Sequence, residues 1–130
     1  MKYQVLRTEV ESDPNGRGYS GMSDSAVAID MNTSYVSQNR TSMTGSEIVN
    51  AVVISEFNGL SADDKQLFWD IVHLGTINPF GVEATILTSV FGGGSDTIMA
   101  LAVARVVTIT RANELGLGTV KTGYIEKVRA

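Results

Sequence analysis

The 130-residue chain has no cysteine, a single histidine and only two prolines. The absence of cysteine excludes both a disulfide framework and a metal site with thiolate ligands. The lone histidine, His73, and the scattered carboxylates show no ligand spacing typical of a metal centre. The net charge of −4 opposes binding to a phosphate backbone, which depends on Lys and Arg releasing counterions. The composition therefore predicts no metal, no cofactor and no nucleic-acid partner.

The N-terminus shows no targeting segment, because Lys2 and Arg7 are followed by Thr8 and Glu9 rather than by an apolar run. The most apolar stretch, residues 95–115, is long enough to cross a bilayer but carries Arg105 in its middle. We therefore expect no membrane segment and a protein that is made and used in a cytoplasm. The length of the chain fits one domain, so residues 1–130 are predicted to form a single helical domain.

The stretch from Ser95 to Leu115 contains no Gly or Pro, and its apolar residues cover more than half of a helical wheel. Ser95 can cap a helix at its start, and Gly116 can end one. A helix that is apolar over most of its surface belongs in the middle of a bundle, so this stretch is predicted to be the central helix. The alternative is a strand, because residues 105–111 are rich in β-branched side chains that could alternate. Length and caps favour the helix.

Shorter helices are predicted around this segment from their apolar stripes and from the capping residues Ser23, Thr44, Ser61, Asn78 and Thr119. Thr44 and Glu47 match a capping box, and Asn78-Pro79 is a typical helix start. The predicted helices cover residues 2–12, 23–30, 44–57, 61–74, 79–91 and 119–128. Residues 32–42 have no periodicity and are predicted to be the longest loop. The predicted fold class is all-α, a single compact domain of about six or seven short helices around the stretch from Ser95 to Leu115.

Two short patterns could carry chemistry. His73 follows Asp70 by three residues, and an imidazole that is oriented by a carboxylate acts as a base in many enzymes. The sequence offers only generic serines as nucleophiles, however, and the dipole at a helix C-terminus stabilises a histidine in any case. The glycines at 92–94 precede a helix but lack the Gly-Lys-Ser/Thr of a phosphate loop. No catalytic residue is therefore predicted, and a small enzyme using His73 is the weakest hypothesis.

Five residues are predicted to contact a partner. Arg17, Tyr19, Tyr35 and Arg40 lie in the stretches without helical periodicity and are of types that protein interfaces favour. Arg105 falls inside the apolar sector of the predicted central helix. A buried guanidinium is costly unless it is paired, so we expect a carboxylate or a row of carbonyls to meet it. The alternative is that Arg105 faces a partner.

Four segments of the sequence carry a resemblance to a known family. They are Asp-Pro-Asn-Gly-Arg-Gly-Tyr-Ser-Gly-Met-Ser-Asp at 13–24, Thr-Ser-Met-Thr-Gly-Ser-Glu at 41–47, Phe-Gly-Gly-Gly-Ser at 91–95, and Arg-Ala-Asn-Glu-Leu-Gly-Leu-Gly-Thr-Val at 111–120, which follows the hydroxyl residue Thr110. The chain resembles small helical proteins that tailed bacteriophages encode among their virion genes, and the resemblance extends over nearly its full length. It implies a fold and names no chemistry, so it bears on function only through the company of virion genes.

Two functions follow as hypotheses. The first is a non-enzymatic virion or assembly protein of the head, neck or tail, which binds phage structural proteins and can associate with itself as a homo-oligomer. Such a protein would act in the host cytoplasm and then in the virion. The alternative is a phage-encoded inhibitor of a host defence system that binds a host protein or sequesters a nucleotide signal. Helix N-termini at Ser61, Ser95 or Thr119 could hold phosphates in that role.

Overall fold

The computed structural model describes every residue from Met1 to Ala130. Nine α-helices and four short strands follow one another along the chain, and 58% of the residues are helical. The strands form two small antiparallel sheets, so the fold is mixed α and β, and the predicted all-α class is wrong. None of the helices combines the length and the apolar character that crossing a membrane requires.

The helices and strands are short, and a 3-10 turn at Tyr19–Gly21 lies between the first two helices. The helices are α1 Tyr3–Ser12, α2 Asp24–Met31, α3 Gly45–Ala51, α4 Ile54–Asn58, α5 Ala62–Val72, α6 Val82–Phe91, α7 Asp96–Ala104, α8 Arg111–Glu114 and α9 Thr122–Arg129. The strands are β1 Ser34–Asn39, β2 Met43–Thr44, β3 Thr76–Ile77 and β4 Val106–Thr110. One sheet pairs β1 with β4, and the other pairs β2 with β3.

The chain divides into two compact units. Unit 1 comprises Met1–Ser37 and Thr108–Ala130, and unit 2 comprises Gln38–Val107. The chain leaves unit 1 within β1 and returns to it within β4. The single domain inferred from the length of the chain stays a prediction.

The stretch from Ser95 to Leu115 is not one helix, so the predicted central helix is wrong. α7 ends at Ala104, β4 follows, and the short helix α8 begins at Arg111. The run Val-Val-Thr-Ile-Thr forms β4. This strand is the alternative that the β-branched residues of 105–111 indicate. Such residues lose side-chain freedom in a helix and fit well on a strand. Local preference here outweighs the length of the segment and its terminal caps.

Three further predicted boundaries also differ from the structure. Residues 32–42, predicted as a loop, contain β1. The helix predicted over 44–57, with a break or kink expected near Ser55 and Glu56, is instead interrupted by extended backbone at Val52 and Val53, which separates α3 from α4. The helix predicted to start at Pro79 begins only at Val82, because the Asn78 side chain accepts a hydrogen bond from the Phe80 backbone in a turn that comes first. These differences come from turns and strand pairing that short windows of sequence do not reveal.

The predicted N-caps are confirmed at four helices, and each capping side chain accepts a hydrogen bond from a backbone N–H three residues later. They are Ser23 for α2, Thr44 for α3, Ser61 for α5 and Ser95 for α7. The capping box of Thr44 and Glu47 is complete. Thr119, also predicted as a cap, precedes a helix that begins only at Thr122 without a side-chain cap.

Unit 1 is built on α1, α2 and α9, whose buried core includes Leu6, Val27 and Ile125. A carboxylate lies in this apolar setting, because Glu9 is only 3% exposed. The Nε and Nη2 groups of Arg111 donate to its two oxygens, each at 2.8 Å. The buried carboxylate is therefore matched by a two-pronged hydrogen-bonded cation, which is the arrangement that makes burial of a charge tolerable.

Removing the Arg111 cation alone should lower the free energy of unfolding much more than removing the charges of both Glu9 and Arg111. In Arg111→Met the Glu9 carboxylate stays buried without its partner, and we expect the free energy of unfolding to fall by about 3–5 kcal/mol. The double variant Glu9→Leu/Arg111→Met should recover part of that loss in urea denaturation, because no uncompensated charge remains. Lys121→Met, at an exposed position, is the control. Equal stability of Arg111→Met and the wild type would contradict this reading.

Unit 2 has its own core, formed by α3, α5, α6 and α7 together with the β2–β3 sheet. The buried residues are Met43, Ile48, Phe68, Ile71, Ile77 and Leu87. Met43 lies opposite Ile77 across the sheet. The first residue of α3, Gly45, approaches the end of α5 so closely that a Cβ atom there would lie 2.3 Å from the carbonyl oxygen of Val72. Glycine is therefore required by close backbone contact at this point.

We expect Gly45→Ala to reduce the free energy of unfolding by about 1–3 kcal/mol, because the added methyl group must push two backbone segments apart. Gly93→Ala is the matched control, since the nearest atom to its added Cβ is a Thr88 methyl carbon at 3.8 Å, an ordinary contact. Urea denaturation of the two variants measures the difference. Equal effects of the two substitutions would show that α3 can shift away from Val72 without cost.

Candidate interaction surface

The helix α7 is apolar on all sides between Ile98 and Ala104. One side packs on the core of unit 2 through Ile98, Leu101 and Ala104. Met99 and Val103 lie one turn apart on the opposite side and are 60% and 77% exposed. A helix that is apolar all round is normally covered all round. The outer side of α7 is therefore an apolar surface that the rest of unit 2 does not cover.

The N-terminus of α7 is held by a carboxylate of the same unit. Glu56 accepts hydrogen bonds from the backbone N–H groups of Asp96 at 3.0 Å and Thr97 at 2.7 Å. Hydrogen bonds from the side chain and backbone of Thr97 keep the pKa of Glu56 below its usual value. The Thr97 hydroxyl is buried and also accepts a hydrogen bond from the Val53 N–H at 3.0 Å. This helix end, one of those proposed to hold a phosphate, is already occupied by an anion.

The C-terminus of α7 is held by Arg40. Its backbone N–H donates to the carbonyl of Arg105 at 2.9 Å, and its Nη1 donates to the carbonyl of Ala104 at 3.4 Å. The same guanidinium binds both oxygens of Glu47, with Nη2 at 2.8 Å from Oε1. A cation at the end of a helix complements its dipole. The structure thus places Arg40, predicted as an interface residue, where it fixes α7.

Acid should weaken the contact between Arg40 and Glu47. The Arg40 side chain, aided by the Thr44 backbone N–H, lowers the pKa of Glu47 from 4.5 to about 2. A lowered folded-state pKa means that the stabilisation is complete above the unfolded value of 4.5 and is lost as the pH falls through about 2. We therefore expect the stability difference between the wild type and Glu47→Gln to shrink over this range in urea denaturation. The exposed Glu126→Gln is the control, and a difference that does not change with pH would contradict the assignment.

An apolar cavity of about 130 Å³ lies beside α7 within unit 2. Its walls come from β2, α3, β3, α6 and α7 and from the turn before α6. The lining residues are Met43, Ile48, Ile77, Pro79, Ala84, Leu87, Thr88, Ile98, Leu101, Ala102 and Arg105. Leu87 and Ile48 are buried, whereas Thr88 and Ala102 are exposed, so the lining reaches from the core to the surface.

Arg105 is the only charged residue that lines this cavity. Its guanidinium carbon lies 4.3 Å from the centre of the Phe80 ring, which is cation–π geometry. Its Nε is buried and has no hydrogen-bond partner. The sequence predicted that a carboxylate or carbonyls would meet this side chain. The structure instead places it against an aromatic ring with one donor unsatisfied, an arrangement that proteins avoid unless another group completes it.

The other predicted interface residues belong to unit 1. Arg17 binds Asp30 through Nε at 3.0 Å and Nη2 at 2.6 Å, and its guanidinium carbon lies 3.8 Å from the centre of the Tyr35 ring. Tyr19 is fully buried, and its hydroxyl donates to Glu9 at 3.4 Å. Burial, together with the nearby tyrosine and carboxylate, raises the pKa of Tyr19. The structure thus brings Arg17 and Tyr35 together and makes Tyr19 part of the core of unit 1.

His73 is exposed at the C-terminal end of α5, where its ring stacks on Trp69 with 6.0 Å between centroids. The Asp70 carboxylate, considered as its orienting partner, accepts a hydrogen bond from Gln66 at 2.9 Å. No group of three or more His, Asp and Glu side chains is arranged to hold a metal ion. The surroundings of His73 therefore suggest a stacking role at the end of a helix.

Neither the outer side of α7 nor the cavity is predicted from the sequence. The all-round apolar character of Met99, Val103 and their neighbours predicts burial inside the chain, whereas the structure exposes both side chains. The cavity has no local sequence pattern, because segments from residue 43 to residue 105 contribute to its wall. Comparisons with protein-family models, with curated proteins and with solved structures give no match to this chain.

Proposed function

We propose that this chain is a non-enzymatic virion or assembly protein of a tailed phage that acts through protein–protein contacts made by the outer side of α7. The observation that carries the proposal is the exposure of Met99 and Val103 on a helix without an outer polar face. The resemblance to virion-module proteins supports the phage setting. The partners would be phage structural proteins or further copies of this chain.

Burial of apolar surface is the main favourable term in protein association, and exposed apolar patches of monomers mark interaction sites. Unit 2 also exposes Val106 and Val107, which follow Arg105 in the chain and are 36% and 38% exposed. Phe80 is 43% exposed and lies against the guanidinium of Arg105, the residue that follows α7. Unit 2 therefore offers a partner further apolar side chains besides Met99 and Val103.

The first test is mass spectrometry of purified phage particles and of assembly intermediates. We expect the chain to be present in one of them at a fixed ratio to the major structural proteins. Absence from both would overturn the proposal and would leave the inhibitor of a host defence system as the hypothesis to pursue.

A matched pair of variants tests which surface is used. Val103→Lys puts a charge on the outer side of α7, and Ile29→Lys does the same at a residue of unit 1 that is 67% exposed and also lies near the C-terminus of its helix. Both should change the free energy of unfolding by less than about 0.5 kcal/mol, because the sites are exposed. Only Val103→Lys should abolish incorporation into particles. Equal incorporation of the two variants would exclude this side of α7 as the contact surface.

A further inference from the structure

Arg105 differs from the other half-buried arginines in having no acidic partner. The arginines that form salt bridges are Arg17, Arg40, Arg111 and Arg129. Arg7 has none, but it is exposed to water, where a guanidinium needs no partner. Arg105 is partly withdrawn from water, its Nε is orphaned, and it borders the cavity. A half-buried arginine without an acidic partner therefore lines the empty apolar space.

The two features together define the chemistry of a ligand. A carboxylate can accept from the two terminal nitrogens of a guanidinium at once, which would give Arg105 the acidic partner that it lacks. The Phe80 ring holds the guanidinium plane from one side. A cavity of about 130 Å³ is slightly smaller than an engineered apolar cavity of roughly 150 Å³ that binds benzene. It therefore suits one branched aliphatic or phenyl group.

We propose that this cavity receives the C-terminal residue of a partner polypeptide, with its apolar side chain inside and its terminal carboxylate on Arg105. A C-terminal Leu or Phe carries its apolar side chain and its carboxylate on the same Cα atom. It can therefore fill the cavity and pair with Arg105 at the same time. The ligand is a polypeptide rather than a free organic acid because the apolar surface continues from Ala102 at the cavity to Val103 outside it. The inference rests on the proposed function and names the chemistry of the partner.

The test is an NMR titration of the intact chain that follows the Arg105 Nε–H resonance and the methyl resonances of Leu87 and Ile98. The probes are acetyl-Gly-Gly-Leu with a free carboxylate, the same peptide as its C-terminal amide, and 4-methylpentanoate. We expect the free-acid peptide to shift all three sets of resonances and the amide to bind at least about tenfold more weakly, because it lacks the charge-assisted hydrogen bonds. The peptide should bind at least as tightly as 4-methylpentanoate.

Three variants assign the contacts. Arg105→Met should remove the preference for the acid over the amide, and Ala102→Phe, at an exposed position of the cavity lining, should block both peptides. Arg7→Met is the control for charge and should leave binding unchanged. Backbone spectra of each variant verify that it is folded.

The outcomes are distinct. Equal binding of acid and amide, or no shift with any probe at millimolar concentration, would overturn the inference. Tighter binding of 4-methylpentanoate than of the peptide would overturn the polypeptide part, because it would assign the cavity to a small organic acid. Particle mass spectrometry is independent of these results. A chain that is present in virions but inert toward every probe would contradict this inference and leave the proposed function intact.

Discussion

Charged side chains fix α7 at both ends, and the exposed apolar surface depends on this arrangement. Glu56 accepts hydrogen bonds from the first N–H groups of the helix, and Arg40 donates to the last carbonyl, while Glu47 holds Arg40 in place. Both charges complement the helix dipole. Because its ends are held in this way and its inner side packs on the core, α7 keeps its position although its outer apolar side is uncovered.

The consequences follow from this constraint. The outer side of α7 presents Met99 and Val103 without any polar residue between them and solvent. Arg105, the residue directly after α7, lines the cavity, and the Phe80 ring lies against its guanidinium. A firmly held helix that offers an apolar face, a cation and a small cavity suits a docking surface, since little freedom remains to be lost on association.

The local features of the fold could be predicted from the sequence, and the non-local ones could not. The caps at Ser23, Thr44, Ser61 and Ser95 are confirmed because a cap involves only residues within three positions of each other. The strand β1 was predicted as part of a loop, and β4 was predicted as part of a helix with a strand as the alternative. Their pairing joins segments far apart in the chain, which no short window contains. The pair of Glu9 and Arg111, 102 residues apart, was missed for the same reason.

The site was predictable to a smaller extent. Its one sequence-based indication was Arg105 among apolar residues, and the structure does place it beside apolar side chains. The expected carboxylate does not meet Arg105. The sequence could not show this, because the groups around Arg105 come from elements that meet only in the folded chain. The outer side of α7 was misjudged because apolar residues all round a helix indicate that it becomes covered but do not say whether the cover belongs to the same chain.

Peroxide oxidation of the methionines, followed by peptide mass spectrometry, tests the central claim most directly. Met99 is 60% exposed on the outer side of α7, whereas Met43 is 2% exposed in the core of the same unit. In the dilute isolated chain the account predicts fast oxidation of Met99 and slow oxidation of Met43, and in purified particles it predicts protection of both. Protection of Met99 in the dilute isolated chain would contradict the account, because the apolar side of α7 would then already be covered.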